Sequence, residues 1–242
     1  MKLFFVPLFF LFSLILSSTT EEEIIVTESN WLFLPSIDQI NQEEIELYNS
    51  LHFKELLNLS SGVWISRGSG QESLISLRSP VLTGSGACGS FQILEDGIPI
   101  RPAGFCNVNN LFEVAENWSS EIEVVKGPSS SMFGGNAMHG VINIKSTNIN
   151  GNNNLNFQVD KNESVRSKFL YKNLENTAVG FELVSDNGFR NHSGFDQQKI
   201  ILKNFNNIQD LSLQTLISFT NLNQETAGYI NSYFYPTRIE NI

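Results

Sequence analysis

Gly84, Gly86 and Gly89 stand in the G-x-G-x-x-G spacing that cradles a pyrophosphate when it follows a strand and opens a helix. Here Ser79-Pro80 spoils the strand before it, and residues 91–95 read as a strand rather than a helix. The glycines therefore read as a surface loop, not a nucleotide site. His52, His139 and His192 sit in unrelated contexts, and no G-x-S-x-G elbow is present, so no nucleophile–base pair is legible and the chain reads as a non-enzyme. Three scattered histidines and two cysteines offer no metal-ligand spacing, and no cofactor is implied.

Composition narrows the partners. Lys plus Arg is 15 against 25 for Asp plus Glu, a net charge of −10, which argues against nucleic acid. Apolar residues make up 41 %, enough to bury a core. After Met1-Lys2, residues 3–16 are an uncharged apolar run of 14, interrupted by Pro7 and followed by Ser17-Ser18. A spanning helix needs about 20 residues. The pattern is that of a secretory signal peptide over 1–18, so the protein is expected to be exported. The alternative is a buried core helix, but this run has no amphipathic face. In an oxidising compartment Cys88 and Cys106 are expected to form a disulfide worth ~3 kcal/mol by loop closure. Two free thiols or a soft metal pair are the alternatives, and no His lies near either Cys.

The elements fall into two textures. Up to about residue 147 the chain mixes short strands and helices. Asn41 with Glu44 is a capping-box start for a helix over 41–48, and 52–57 reads as a second. Strands are expected at 63–67, 74–77, 91–95, 122–126 and 141–145, with turns at Asp96-Gly97 and Gly127-Pro128. After an Asn-rich run over 148–156, longer strands follow at about 155–160, 165–173, 177–186, 198–205 and 211–221. The last alternates Leu211, Leu213, Ile217 and Phe219 against Ser212, Gln214, Ser218 and Thr220. The third does the same, with Val179, Phe181 and Leu183 against Gly180 and Glu182. Period 2 over this length suits an outer-membrane strand and equally a soluble sheet with one wet face.

Three stretches, 75–100, 101–114 and 122–146, carry a specific resemblance. The last runs IEVVKGPSSSMFGGNAMHGVINIKS, with Glu123, Val124, Lys126, Gly127, Pro128, Gly134, Asn136, Ala137, Gly140, Val141, Ile142, Asn143 and Ile144 in place. Leu94-Glu95-Asp96-Gly97 adds a strand-then-turn signature. Together they resemble the plug domain of TonB-dependent outer-membrane receptors, in which a plug fills a barrel of about 22 strands and moves aside during energised uptake. Two positions depart from the family pattern. Arg78-Ser79 replaces an Arg-Gly pair, and Lys126 stands where many members carry Arg, keeping the charge but not the bidentate fork.

The resemblance implies an α+β plug followed by antiparallel transmembrane β-barrel strands in an incomplete barrel. It divides the chain into 1–18 signal peptide, 19–40 TonB-box segment and linker, 41–147 plug, and 148–242 the N-terminal part of the barrel. Glu23, Ile24, Ile25, Val26 and Thr27 resemble a TonB box, a β-rich segment that adds to a partner's sheet edge. The implied partners are TonB with its ExbB/ExbD motor, outer-membrane lipid, and an imported small molecule or oligosaccharide that is siderophore-, cobalamin- or glycan-like. Arg78 and Lys126 are expected to pair with barrel carboxylates beyond residue 242 and lock the plug. Tyr229, Tyr233, Phe234 and Tyr235 are expected in an extracellular loop or an aromatic girdle. Room for about five strands is short of the ~8 of the smallest closed barrels, so the chain reads as a fragment of a longer product, with a truncated copy as the alternative. The alternative is a soluble periplasmic binding or signalling module with a plug-like fold.

Overall fold

The structure is a computed structural model that describes residues 36–67, 71, 73–79, 90–100, 113–160, 164–188, 191–209 and 211–225, all within the compact unit Pro35–Ile242. Asn41 caps the first helix as its spacing predicts. Its Oδ1 accepts from Glu44 N at 3.0 Å, and Glu44 Oε2 accepts from Asn41 N at 2.9 Å. Helix α1 (Gln42–Tyr48) ends at Asn49 in the left-handed conformation. Helix α2 (Phe53–Leu57) follows, with His52 Nδ1 accepting from Lys54 N at 3.0 Å, which gives that histidine a capping role.

The first half is built on a five-stranded sheet. Strand β1 (Ser36–Asn41) precedes the helices, β2 (Val63–Arg67) and β3 (Ser73–Leu77) form a separate hairpin, and β4 (Gln92–Glu95) turns into β5 (Ile98–Pro99). Strands β6 (Glu121–Lys126) and β7 (Gly140–Lys145) complete the sheet in the order β1-β6-β7-β4-β5, with β4 and β7 parallel. Both faces are covered. Ile93, Ile122, Val124, Ile142 and Ile144 pack with Ile45, Leu56 and Leu57 from the helices and with Ile65 and Leu77 from the hairpin. The neighbouring residues Leu94, Val125 and Val141 point the other way, into a smaller cluster with Ala137. A sheet buried on both sides needs apolar residues in succession rather than in alternation, which is why 122–125 and 141–144 read as runs.

Strand β1 lies where the sequence reads as linker, so the sheet begins at Ser36 rather than at residue 41. Its pattern SIDQIN carries only two apolar side chains, too few to announce a strand. Pairing with β6 supplies what the pattern lacks. Helix α3 (Ser130–Phe133) and a 3-10 turn at Glu116–Trp118 are further additions to the predicted elements.

The second half is an antiparallel meander of β8 (Asn154–Val159), β9 (Val165–Leu174), β10 (Thr177–Asp186), β11 (Phe195–Ile208) and β12 (Leu211–Gln224). Among the described residues this sheet is not closed. Glu175 and Asn176, both at positive φ, make the tight β9–β10 turn. Burial along these strands is inverted relative to a soluble protein. Arg166, Lys168, Lys172, Glu182, Gln197 and Lys199 are buried, while Phe157, Phe181, Leu183, Leu213, Ile217 and Phe219 are exposed. A wet-faced soluble sheet would show the opposite, so of the two readings open from period 2, the structure takes the one with an apolar outer face and a polar inner face.

Candidate functional site: the interface between the domain and the wall

The motif residues of the first half define its geometry. Asp96 (φ 49°) and Gly97 (φ 79°) close the β4–β5 turn, and Gly97 N donates to Asn143 Oδ1 at 3.0 Å. Asn143 Nδ2 donates to Glu123 Oε2 at 3.0 Å, and Lys145 Nζ donates to Glu123 at 2.7 Å and to Glu121 at 2.9 Å. This ladder ties β4, β7 and β6 together across one sheet surface. Gly140 is required by space as well as by φ (146°): a Cβ there would lie 2.2 Å from Val125 O and 2.5 Å from Leu77 Cδ2. Gly127 N bonds His139 O at 2.9 Å, which closes the 127–139 loop. Ala137 is buried beneath that loop, whereas Pro128 and Gly134 are exposed on it and Asn136 is half-buried.

Lys126 is buried and paired inside this domain. Its Nζ donates to Asp38 Oδ2, to Ser61 O at 3.2 Å and to Ser61 Oγ at 3.2 Å. Ser60 Oγ donates to the same Asp38 carboxylate at 2.7 Å. The Lys126 hydrogen bond holds the Asp38 carboxyl below its usual range, against the opposing effect of burial. Lys126 thus clips the edge strand β1 to β6, and among the described residues its carboxylate partner is Asp38. Arg78 is exposed in the left-handed conformation (φ 47°), its N donating to Gly62 O at 2.8 Å. The barrel carboxylates expected for both cations concern chain beyond residue 242. The segment 23–27, Cys88, Cys106, and the aromatic residues 229 and 233–235 lie outside the described residues.

Apart from Asp96, the contacts that join the two halves run through residues with no motif spacing. Lys199 on β11 donates to Glu116 Oε2 at 2.6 Å and to Val114 O at 2.8 Å, with both charged groups buried. Lys168 on β9 donates to Asn117 O at 2.7 Å. Arg166, ion-paired with Glu182 at 2.5 Å, donates from Nη1 to Asn49 O at 2.5 Å. That contact places a cation at the C-terminal end of α1, whose own last turn carries none. Asp96 binds Ser146 N at 2.8 Å and Gln214 Nε2 at 3.0 Å, and Lys203 lies 3.7 Å away. Trp118 lies against Ala115, Leu170 and Ile201. Gly180 makes room for it, since a Cβ there would sit 3.2 Å from the indole and 2.6 Å from Ile201 Cγ2. At this interface the wall supplies the cations, and the inner domain supplies acids and carbonyls.

Carboxylates crowd this junction. Burial raises the Glu95 carboxyl to about 7, assisted by Asp96 and Glu116 and opposed by Lys199 and Lys203. Burial also raises Glu116, with Lys199 pulling the other way. Among the described residues no group of three His, Cys, Asp or Glu side chains is placed to hold a metal ion. The arrangement suits reversible docking. Ion pairs and carbonyl contacts exchange with water far more readily than a dry apolar seam does, and among the described residues the apolar part of this interface is the small Trp118 cluster.

A domain seated by polar contacts on the inner face of an open, inverted β-wall has the arrangement of a plug against part of a barrel wall. Residues 34–141 match the family model described as TonB-dependent Receptor Plug Domain. Solved structures agree on the fold. The ferric yersiniabactin uptake receptor FyuA from Yersinia pestis aligns with a TM-score of 0.57 at 16 % identity, covering 78 % of this chain and 32 % of that one. Copper transporter OprC gives 0.59 at 13 % identity, over 81 % and 32 %. P. aeruginosa FpvA, in a complex with a heterologous pyoverdine and iron, gives 0.57 at 14 %, over 78 % and 25 %. Residues 34–141 therefore match a TonB-dependent receptor plug domain, and together with the strands they have the fold of part of such a receptor. It spans about a third or less of the length of these three receptors.

Proposed function

We propose that this chain is the N-terminal plug and first wall strands of an outer-membrane transporter that imports a scarce solute with energy supplied by TonB. The observation that carries the reading is the inverted wall. Charged side chains are buried against the plug while aromatic and aliphatic ones face outward, an arrangement that suits lipid outside and a movable plug inside. A soluble periplasmic module would have to leave that apolar surface in water. In this reading residues 1–18 direct export and 23–27 bind TonB, which ExbB/ExbD energise by pulling. Force on 23–27 then reaches the plug through β1, the edge strand that Asp38 and Lys126 clip to β6. No catalytic role is assigned. The named cargoes of the matched receptors include a ferric siderophore and copper, so the transporter class is supported and one cargo is not singled out.

The test expresses the whole gene product with and without residues 23–27. Wild-type protein is expected in the outer-membrane fraction, supporting uptake that stops when the membrane is de-energised. Deletion should abolish uptake and leave cargo binding intact. Unchanged uptake by the deletion, or recovery of the full-length protein as a soluble periplasmic monomer, would refute the reading.

A further inference from the structure

The wall sorts its charges by face. The described residues from 148 onward contain five basic side chains, Arg166, Lys168, Lys172, Lys199 and Lys203, and all five face the plug. Only one carboxylate of the wall, Glu182, is buried among them. The chain as a whole is acidic, at −10, so this is segregation and not a composition effect.

Close ion pairs account for three of the five: Arg166 with Glu182, Lys199 with Glu116 and Lys203 with Asp96. Lys168 and Lys172 have no carboxylate within 4.0 Å among the described residues, and Glu46 of the plug acts on both from farther away. Lys168, Lys199 and Arg166 reach main-chain carbonyls, a task that a neutral donor performs at a smaller desolvation cost. The same wall does use neutral donors on the plug, in Thr220 Oγ1 to Glu113 O at 3.2 Å and Gln214 Nε2 to Asp96 at 3.0 Å. At Lys168 and Arg166 a charge stands where docking asks only for a hydrogen bond to a plug carbonyl. When the plug leaves, Glu116, Asp96 and the carbonyls of Val114, Asn117 and Asn49 leave with it. Five cations against one acid then line this part of the path.

We infer that the cargo passing this wall is a net anion, and that Arg166, Lys168, Lys172, Lys199 and Lys203 supply its counter-charge in the place vacated by the plug. This rests on the transporter reading and adds the charge class of the cargo. The plug's acids and carbonyls stand in for the cargo while the path is closed, and Arg166, Lys168, Lys199 and Lys203 exchange one partner for the other instead of being left bare in a confined space.

The test uses the full-length receptor in planar bilayers, with the plug displaced by urea and a KCl gradient across the membrane. Neutralising Lys168, Lys172, Lys199 and Lys203 together to Gln should lower the chloride-to-potassium permeability ratio by about threefold or more, because charged rings set pore selectivity. Should that variant fail to assemble, Lys172→Glu alone, at a lysine with no carboxylate within 4.0 Å among the described residues, should lower the ratio in the same direction. The outward-facing Asp196→Asn should leave it unchanged. A urea-opened channel whose ratio is unmoved by either lysine variant would overturn this inference and leave the transporter reading standing. Absence of any opened conductance in the wild type would overturn both.

Discussion

The Lys199–Glu116 pair offers the sharpest perturbation of plug docking. Both partners are almost fully buried at the interface and 2.6 Å apart. Changing Glu116 to Gln leaves the Lys199 charge enclosed against neutral carbonyl acceptors, Val114 O and the new amide, without the paired carboxylate. Breaking a buried pair from one side costs ~3–5 kcal/mol, and with other plug–wall contacts intact we expect the lower end, ~3 kcal/mol. For a urea dependence of ~1–3 kcal/mol per molar, the midpoint of plug release should fall by about 1–3 M. The assay follows the distance between nitroxides at exposed positions 132 on the plug and 174 on the wall, in full-length protein. A companion variant separates charge from packing. Glu116→Leu with Lys199→Met removes both charges and should dock within ~1–2 kcal/mol of wild type, since apolar replacement of a buried pair is often close to neutral. A shift below ~0.5 kcal/mol for Glu116→Gln, or a double variant weaker than the single one, would refute the assignment of this pair as a principal plug–wall contact.

Further consequences follow from the same contacts. Glu95 has a folded-state value of about 7, above its unfolded value of 4.5, so the seated plug holds that proton more tightly than the unfolded one. Its unfavourable contribution is absent below about 4.5, grows as pH rises and is complete above about 7, so plug release should need less urea at pH 8 than at pH 5. Glu95→Gln should flatten that dependence, and an opposite slope would exclude it. Gly140→Ala drives a Cβ into Val125 O and Leu77 and should cost ~3 kcal/mol or more, preventing receptor assembly. Gly134→Ala, at φ 95° with nothing within 4 Å, should cost only ~1–2 kcal/mol and assemble, as heat-modifiable protein in membranes would report. Gly180→Val should displace Trp118, detected as a red-shifted, more quenchable indole against the Trp118→Phe background.

Much of the plug is legible because its signals are local. The Asn41 and Glu44 cap needs only three residues of spacing, the Asp96-Gly97 turn needs positive φ at both positions, and Gly140 occupies a place only glycine fits. Strand β1 escapes because its identity comes from pairing with β6, 80 residues away in sequence. The interface escapes for a related reason. Glu116, Asn117 and Trp118 sit in a 3-10 turn without periodicity, and their partners Lys168 and Lys199 look like the polar face of any half-buried strand. The alternation of β10 and β12 shows that each strand has two faces, but not which one meets water; only the plug, packed on the polar face, decides that. The pairing of Lys126 with Asp38 escapes too, because only the register of β1 on β6 brings that carboxylate to it.

The claim on which the account stands is that the odd positions of β12 meet lipid and the even positions meet the plug. A nitroxide scan over 211–221 in the full-length protein in bilayers measures this directly, through collision with dissolved oxygen and with a water-soluble paramagnet. The account predicts oxygen-rich odd positions at 211, 213, 217 and 219 and oxygen-poor even positions that gain contact with the water-soluble reagent when urea displaces the plug. Equal access of the water-soluble reagent to both faces in the native state, or the reverse parity, would contradict it.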